Sequence, residues 1–286
     1  MNNFYNTYKD AIDRFIDQAL EEDIEEGDHT SKACFNEEIK SEAALKVKGD
    51  CVIAGIKMAQ KIFHRYDSSL SISQLVKDGD QLREGTLAFL VRGKAKSILT
   101  TERLVLNCMQ RMSGIATHSH NLSQKIQHTN CKILDTRKTT PCFRYPEKWA
   151  VAIGGGHNHR MGLFDAIMIK DNHIDICHNL SNALEKTKNY LVQNSLQIPV
   201  IVEVRNTHEI DQVMHFPWVK RILLDNMSPK ILTENVKKIN RKFETEASGD
   251  ITEKRLVSYA ETGVDYVSMG ALTYAAVPID MSLKAI

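Results

Sequence analysis

The chain has 286 residues, 42% of them hydrophobic and 26% charged, enough to bury a full core as one large domain or two moderate ones. Its 37 basic residues balance 36 acidic ones, so no global field draws it to nucleic acid or an anionic membrane, and any anionic ligand must be met by a local cluster. The polar, acidic N-terminal segment lacks an apolar run with a cleavage site, and no stretch of about 20 apolar residues follows, which points to the cytosol.

Residues 7–26 predict an amphipathic acidic helix, and 42–57 and 70–96 predict short strands punctuated by Gly49, Gly55, Gly79, Gly85 and Gly93, together a small α/β domain. Thr100 and Thr101 offer a helix start, with Leu104, Val105, Cys108, Met109 and Met112 forming one apolar stripe. Arg103, Asn107, Gln110 and Arg111 share the other face. The six cysteines are scattered without a C-x-x-C pair, which fits reduced thiols better than a disulfide framework or a zinc site.

From about residue 131 short apolar runs recur, each ending in a charged or small polar residue and followed by a helical stretch. They are KILD ending at Asp135, AIMIK at Lys170, VIVE at Glu203, RILLD at Asp225, KFETE at Glu246 and DYVSMG near Ser268. Such alternation implies a parallel sheet with right-handed crossovers, closed or nearly closed into a barrel, with a doubly wound open sheet as the alternative. In a barrel the strand C-terminal ends face the mouth where chemistry is done, so Asp135, Lys170, Glu203, Asp225 and Glu246 are expected there.

The loop after the first of these strands carries Arg137 and Lys138, a planar fork and a point charge suited to carboxylates. Next, GGGHNHR sets three glycines before His157, Asn158, His159 and Arg160. It is neither a P-loop nor a dinucleotide fingerprint, and with no third ligand at a zinc spacing the histidines suit hydrogen bonding to an anion better than a metal. Lys170 ends an apolar strand, where an ammonium needs a negative partner or ligand. Glu203 and Asp225 suit a magnesium ion or sugar hydroxyls, and Ser248, Gly249, Gly270 and Ala271 lie in late loops where barrels bind phosphate through backbone N–H groups.

The strings TTERLVLNCMQRMSGIAT, DTRKTTP, GGGHNHRMGLFDAIMIKDNHI, EVRNTHEI, LLDNMSP, EASGDI and VSMGALT, in that order, resemble the quinolinate phosphoribosyltransferase family over nearly the whole chain, and EEDIEEGDHTSKACF resembles it more weakly. The resemblance implies an N-terminal α/β sandwich domain over 1–113 and a C-terminal open α/β, TIM-like barrel over 114–275, with a tail at 276–286 packing back on the first. It implies a homodimer, with higher oligomers in some members, in which Arg103 is donated across the interface. Quinolinate recognition would fall to Arg103, Thr136, Arg137, Lys138, His159, Arg160 and Lys170. Contacts to ribose and indirectly to Mg2+ would fall to Glu203 and Asp225, and phosphate contacts to Ser248, Gly249, Asp250, Ser268, Met269 and Gly270. Lys138, Lys170, Glu203 and Asp225 are the expected catalytic residues.

The implied activity joins quinolinate to the phosphoribosyl group of phosphoribosyl pyrophosphate with loss of carbon dioxide, and implies neither nucleic acid nor membrane as a partner. Three positions depart from the family's pattern. Cys142 and Phe143 stand where Gly-Leu is usual, and Asp250 stands for Gly or Asn; its carboxylate is expected to turn from the phosphate and cap the following helix. Competing readings are a Schiff-base aldolase using Lys170 and a silent anion- or nucleotide-binding relative.

Overall fold

The computed structural model describes residues 3–34, 36 and 39–286. In chain order its first half forms α1 (Asn3–Thr7), α2 (Lys9–Ile24), α3 (His29–Cys34), β1 (Lys40–Val47), β2 (Cys51–Val52), α4 (Ile56–Tyr66), β3 (Ser71–Gln74), β4 (Gln81–Leu82), β5 (Leu87–Lys94) and α5 (Ala95–Lys125). Then follow β6 (Lys132–Leu134), α6 (Arg144–Ile153), β7 (Ile167–Ile169), α7 (Asp171–Ile176), α8 (Leu180–Gln193), β8 (Val200–Val204), α9 (Thr207–Val213) and β9 (Arg221–Asp225). The chain ends with α10 (Pro229–Ile239), β10 (Glu244–Ser248), α11 (Leu256–Ala260), β11 (Tyr266–Ser268), α12 (Ala271–Tyr274) and β12 (Met281–Ala285).

Contacts divide the chain into two units, one of Met1–Asn121, Lys138–Gly155 and Leu272–Ile286, the other of Leu122–Arg137 and Gly156–Ala271. In the first, an antiparallel sheet of order β12-β1-β5-β3 forms the frame, so the C-terminal strand pairs with β1 far back in the chain. Helix α2 buries Ile12 and Ile16 at helical spacing, and α4 buries Met58, Ala59, Ile62 and Phe63, the last set edge-on against Phe89 of β5. Asp78 accepts the N–H groups of Ile56 and Lys57 and so caps α4 from a distant loop; burial pushes its carboxyl up.

Helix α5 starts at Ala95, not at the threonines the sequence suggested. Thr101 is buried mid-helix and returns its hydroxyl to Ser97 O, four residues back, while Thr100 bonds Asp28. A threonine satisfied within the helix has no need to cap it. The strand expected over 42–57 likewise stops at Val52 and gives way to α4, whose left-handed Gly55 turns the chain. Of the three consecutive glycines, Gly154 packs so tightly on α5 that a Cβ would strike Ala116 O, and Gly155 takes a left-handed φ of 87°.

In the second unit, six parallel strands lie in the order β6-β11-β10-β9-β8-β7. Read from β7 the order is 7, 8, 9, 10, 11 and then 6, a cyclic run with no reversal, which is the pattern of a barrel and excludes a doubly wound sheet. The cylinder is open between its ends, where His157 bridges the free edge of β6 at Leu134. Parallel pairing aligns Glu203 with Leu223 and Glu246, and Asp225 with Ser248. Since side chains alternate along a strand, Arg221, Leu223 and Asp225 share one face with Glu244, Glu246 and Ser248. Ile222, Leu224, Val202 and Ala247 face the other way and are buried.

Candidate active site

The C-terminal rim of this sheet collects Thr136 and Arg137 after β6, Lys170 after β7, Glu203 near the end of β8, Asp225 closing β9, Ser248 closing β10 and Ser268 closing β11. Six strands in register are what bring residues more than a hundred positions apart to one edge. Arg137 is exposed and Thr136 half-buried. Arg103 and Lys138 belong to the other unit, both exposed. In that unit Thr273 Oγ1 donates to Lys138 O at 2.8 Å.

Arg160 is half-buried, and its guanidinium donates to Ala166 O at 3.0 Å, just before β7. Burial lowers its pKa, and the neighbouring Arg137 guanidinium lowers it further. The Asp165 carboxylate opposes this without reversing it, and two like charges held near one another favour an anion. Lys170 Nζ lies 2.9 Å from Glu203 Oε2, with Glu203 only 12% exposed. The ammonium thus has the negative partner its position demands, and the pair can exchange that contact for a ligand's.

Opposite the cations, the loop after β10 turns through Gly249 at φ 100° and Asp250 at φ 44°, beside Asn226 at φ 53°. A Cβ on Gly249 would collide with the Asn226 side chain. Asn226 N donates to Ser248 O at 2.9 Å, and its Nδ2 donates to Asp225 Oδ2 at 2.7 Å. Met269 N–H is taken by Leu134 O at 2.9 Å, and the Ser268 hydroxyl reaches Ala247 O at 3.4 Å. Gly270, half-buried, leads into α12.

Asp250 does not cap the next helix. Helix α11 begins at Leu256 with Arg255 as its N-cap, and a residue at positive φ lacks the extended geometry of a capping residue. Its carbonyl accepts from Arg255 instead.

Two expected mouth residues lie below the rim. Strand β10 continues past Glu246 to Ser248, so Glu246 is one layer down, fully buried, and bonded to Arg221 Nη1 at 2.9 Å. Burial opposes its ionisation, but His159 and Arg221 outweigh that and hold its carboxyl below the usual range. Asp135, also fully buried, accepts His159 N at 2.8 Å and Asn158 Nδ2 at 2.6 Å, pinning the HNHR loop. His157 is exposed, with its pKa lowered by partial burial and by Lys132.

Sequence reading also missed Glu147. It is fully buried on α6, accepts Arg111 at 2.9 Å and holds Thr140 by its amide and hydroxyl. Helical spacing gave Arg111 to the polar face, and nothing local marks a glutamate as its buried partner. For Glu246 a signal existed: charges at alternate positions, Arg221 in one strand and Glu244 and Glu246 in the next, point to one interior face.

A parallel barrel whose rim sets clustered cations against carboxylates and tight phosphate-type loops defines an α/β-barrel enzyme acting on anionic substrates. Family models narrow that class: Quinolinate phosphoribosyl transferase, N-terminal domain, matches residues 28–113, and the C-terminal domain of the same name matches 115–284. Quinolinate phosphoribosyltransferase (decarboxylating) 1b of Nicotiana tabacum is 44% identical over 284 residues, covering 94% of this chain and 81% of the relative. The probable nicotinate-nucleotide pyrophosphorylase (carboxylating) of Bacillus subtilis (strain 168) is 35% identical over 272 residues, covering 95% and 92%. Among solved structures, NadC from Streptococcus pyogenes superposes with a TM-score of 0.89 at 34% identity, covering 96% of this chain and 97% of that one. The nicotinate-nucleotide pyrophosphorylase from Francisella tularensis gives 0.88 at 35%, covering 97% and 96%. The chain belongs to the quinolinate phosphoribosyltransferase family.

Proposed function

We propose that the protein transfers phosphoribosyl from phosphoribosyl pyrophosphate to quinolinate and releases carbon dioxide and pyrophosphate, forming nicotinate mononucleotide for NAD biosynthesis. The observation that carries this reading is the half-buried Arg160 with the Arg137 guanidinium near enough to lower its pKa, on the rim that also bears Lys170. Two adjacent carboxylates on a flat ring need several cations, and the near-neutral chain supplies them here. Lys138 of the neighbouring loop and Arg103 complete the set in this proposal, Arg103 reaching across a homodimer interface.

With the carboxylates held, the pyridine nitrogen attacks the anomeric carbon as the bond to pyrophosphate breaks. Holding both reactants in line removes much of the entropic barrier. Glu203 and Asp225 accept from ribose hydroxyls and steady the positive charge that grows on the sugar. Backbone groups of Ser248, Gly249 and Asp250, and of Ser268 and Gly270, bind the phosphate, while Met269, whose N–H goes to Leu134 O, holds the second loop in place. After transfer the ring nitrogen is positive, so the electron pair left by the departing carboxylate is drawn into the ring, and that carbon takes up a proton.

Glu203 and Asp225 suit a magnesium ion reached through water, because among the described residues no group of three His, Cys, Asp or Glu side chains is arranged to bind a metal directly. When bound, the ion neutralises charge on the departing pyrophosphate. The aldolase reading is disfavoured by the Lys170–Glu203 ion pair, since a Schiff-base lysine is kept apart from counter-ions in an apolar pocket. No helix among the described residues is long and apolar enough to cross a membrane. We place the protein in the cytosol, although plant relatives carry mitochondrial or chloroplastic names.

The test is carbon dioxide release from carboxyl-labelled quinolinate by the purified protein with magnesium. Release that requires phosphoribosyl pyrophosphate, with nicotinate mononucleotide in equal amount, is expected. Its absence, or a borohydride-trapped adduct on Lys170 with a carbonyl compound, sinks the reading.

A further inference from the structure

Lys170 stands where β7 ends and α7 begins, and that double position leaves its backbone short of an acceptor. Strand β7 is an end strand of the open sheet and, among the described residues, pairs with β8 alone. Ile167 N–H donates to Pro199 O on the β8 side, so the N–H groups of Met168 and Lys170, pointing the other way, face the unpaired edge. Lys170 is also the N-cap of α7. An ammonium side chain has only donors, so it cannot accept from the helix N–H groups as Ser, Asp or Asn does in that place.

His173 meets the need. Its Nδ1 accepts the Lys170 N–H at 3.0 Å, and its own N–H donates to Lys170 O at 2.9 Å, joined there by Ile174 N at 3.0 Å. His173 is the third residue of the helix, and its ring reaches back to the N-cap, the half of a capping box that Glu or Gln usually supplies. The peptide groups on both sides of the Lys170 Cα are thereby held, which sets the direction in which its side chain leaves. The Nζ arrives 2.9 Å from Glu203 Oε2. A backbone N–H can only donate, so Nδ1 of His173 carries the lone pair and the proton of the neutral ring is on Nε2.

We infer that His173 is a positioning residue for Lys170, its imidazole holding the backbone from which the ammonium reaches the rim. This rests on the proposed function only for the identity of the ligand that Lys170 serves, quinolinate. A lysine placed at the strand end for chemistry leaves the start of α7 without a capping oxygen, and the ring three residues on secures that start from the other side.

Protein labelled with 15N-histidine tests the bond directly, with the His173 signal among the 11 histidines assigned by its loss in His173→Gln. Nδ1 unprotonated and Nε2 protonated is the expected spectrum, and a proton on Nδ1 overturns the inference. Calorimetric binding of quinolinate supplies the second readout. His173→Leu, which has no acceptor, is expected to bind about tenfold more weakly, the scale of one hydrogen bond lost. His173→Gln restores the acceptor by the usual capping-box path and is expected to bind within about twofold of wild type. An equal loss in both variants, or wild-type affinity in His173→Leu, overturns the assignment.

A purely structural role is separated by the Lys170→Ala background. There His173→Leu should still lower the melting temperature but leave quinolinate affinity unaltered, because the ammonium it would displace is gone. A further loss of affinity means that His173 acts other than through Lys170 and refutes the inference. A wild-type protein that binds no quinolinate would sink the functional reading alone, and the ring spectrum would then decide whether His173 holds the Lys170 backbone.

Discussion

Replacing Glu147 with alanine removes an acceptor that organises the segment around Lys138. One oxygen receives Arg111 Nε at 3.0 Å, Arg111 Nη2 at 2.9 Å and the Thr140 hydroxyl at 2.9 Å, and the other receives Thr140 N at 3.0 Å. Breaking a buried ion pair from one side costs about 3–5 kcal/mol, because the surviving charge stays desolvated. Arg111 is 23% exposed and keeps its bonds to Ala276 O and Thr273 O. The cost should therefore fall at the low end, about 3 kcal/mol.

At roughly 2 °C per kcal/mol for a chain of this size, the melting temperature should drop by about 6 °C. Differential scanning calorimetry reads this, with urea unfolding as a check. Changing both partners, Arg111→Met with Glu147→Leu, should cost less than Glu147→Ala alone, since no charge is then stranded. Thr140 lies two residues beyond Lys138, whose carbonyl Thr273 holds, so turnover should fall with stability. A Glu147→Ala protein melting within about 1 °C of wild type would refute this bookkeeping of the buried pair.

Cys142 sits at φ 62°, a left-handed conformation that strains a residue with a Cβ. Relief of about 1–2 kcal/mol, less about 0.5–1 for the added freedom of the unfolded chain, leaves Cys142→Gly modestly stabilised, and an unchanged or lower urea midpoint would contradict the strain. Glu244 and Glu246 are both held below their usual value of 4.5, Glu244 by Lys220 and Arg221 against the opposing effect of burial. Depressed carboxylates stabilise the fold above their unfolded pKa, so stability should be level near neutrality and fall as pH drops below 4.5 through their folded values. A urea midpoint that rises on acidification would reverse that sign. If Arg103 serves the partner's site, mixing Arg103→Ala with Lys170→Ala under exchanging conditions should restore about a quarter of wild-type activity, one intact site in each mixed dimer. Mixtures as silent as their parents would remove the cross-subunit role.

Much of the fold was legible because its strands announce themselves: VIVEV and RILLD are apolar runs of strand length, each closing near an acid that reaches the rim. The rim itself was legible for the same reason, since position at a strand end is set by local sequence. What resisted reading was everything that depends on which side chains meet inside. Glu246 looked like a strand terminus because glutamates interrupt hydropathy, yet the strand runs on through Ala247 and Ser248. Asp135 looked like a mouth residue and is instead the anchor of the HNHR loop.

Phe143, unusual for the family by resemblance, packs edge-on against Phe15 at 5.1 Å between ring centres, a contact no spacing rule foresees. Thr100 and Thr101 imitated a cap from within a helix of 31 residues. Capping chemistry is local, but whether the preceding turn is already helical is not.

The most direct measurement compares calorimetric binding of quinolinate and of nicotinate, which lacks one carboxylate, to the wild type and to Arg137→Ala, Arg160→Ala and Lys170→Ala. A rim built to grip two neighbouring carboxylates should hold quinolinate at least about tenfold tighter, and each substitution should shrink that preference. Equal affinity for the two acids, or a preference untouched by all three substitutions, would contradict the assignment of these cations to the substrate.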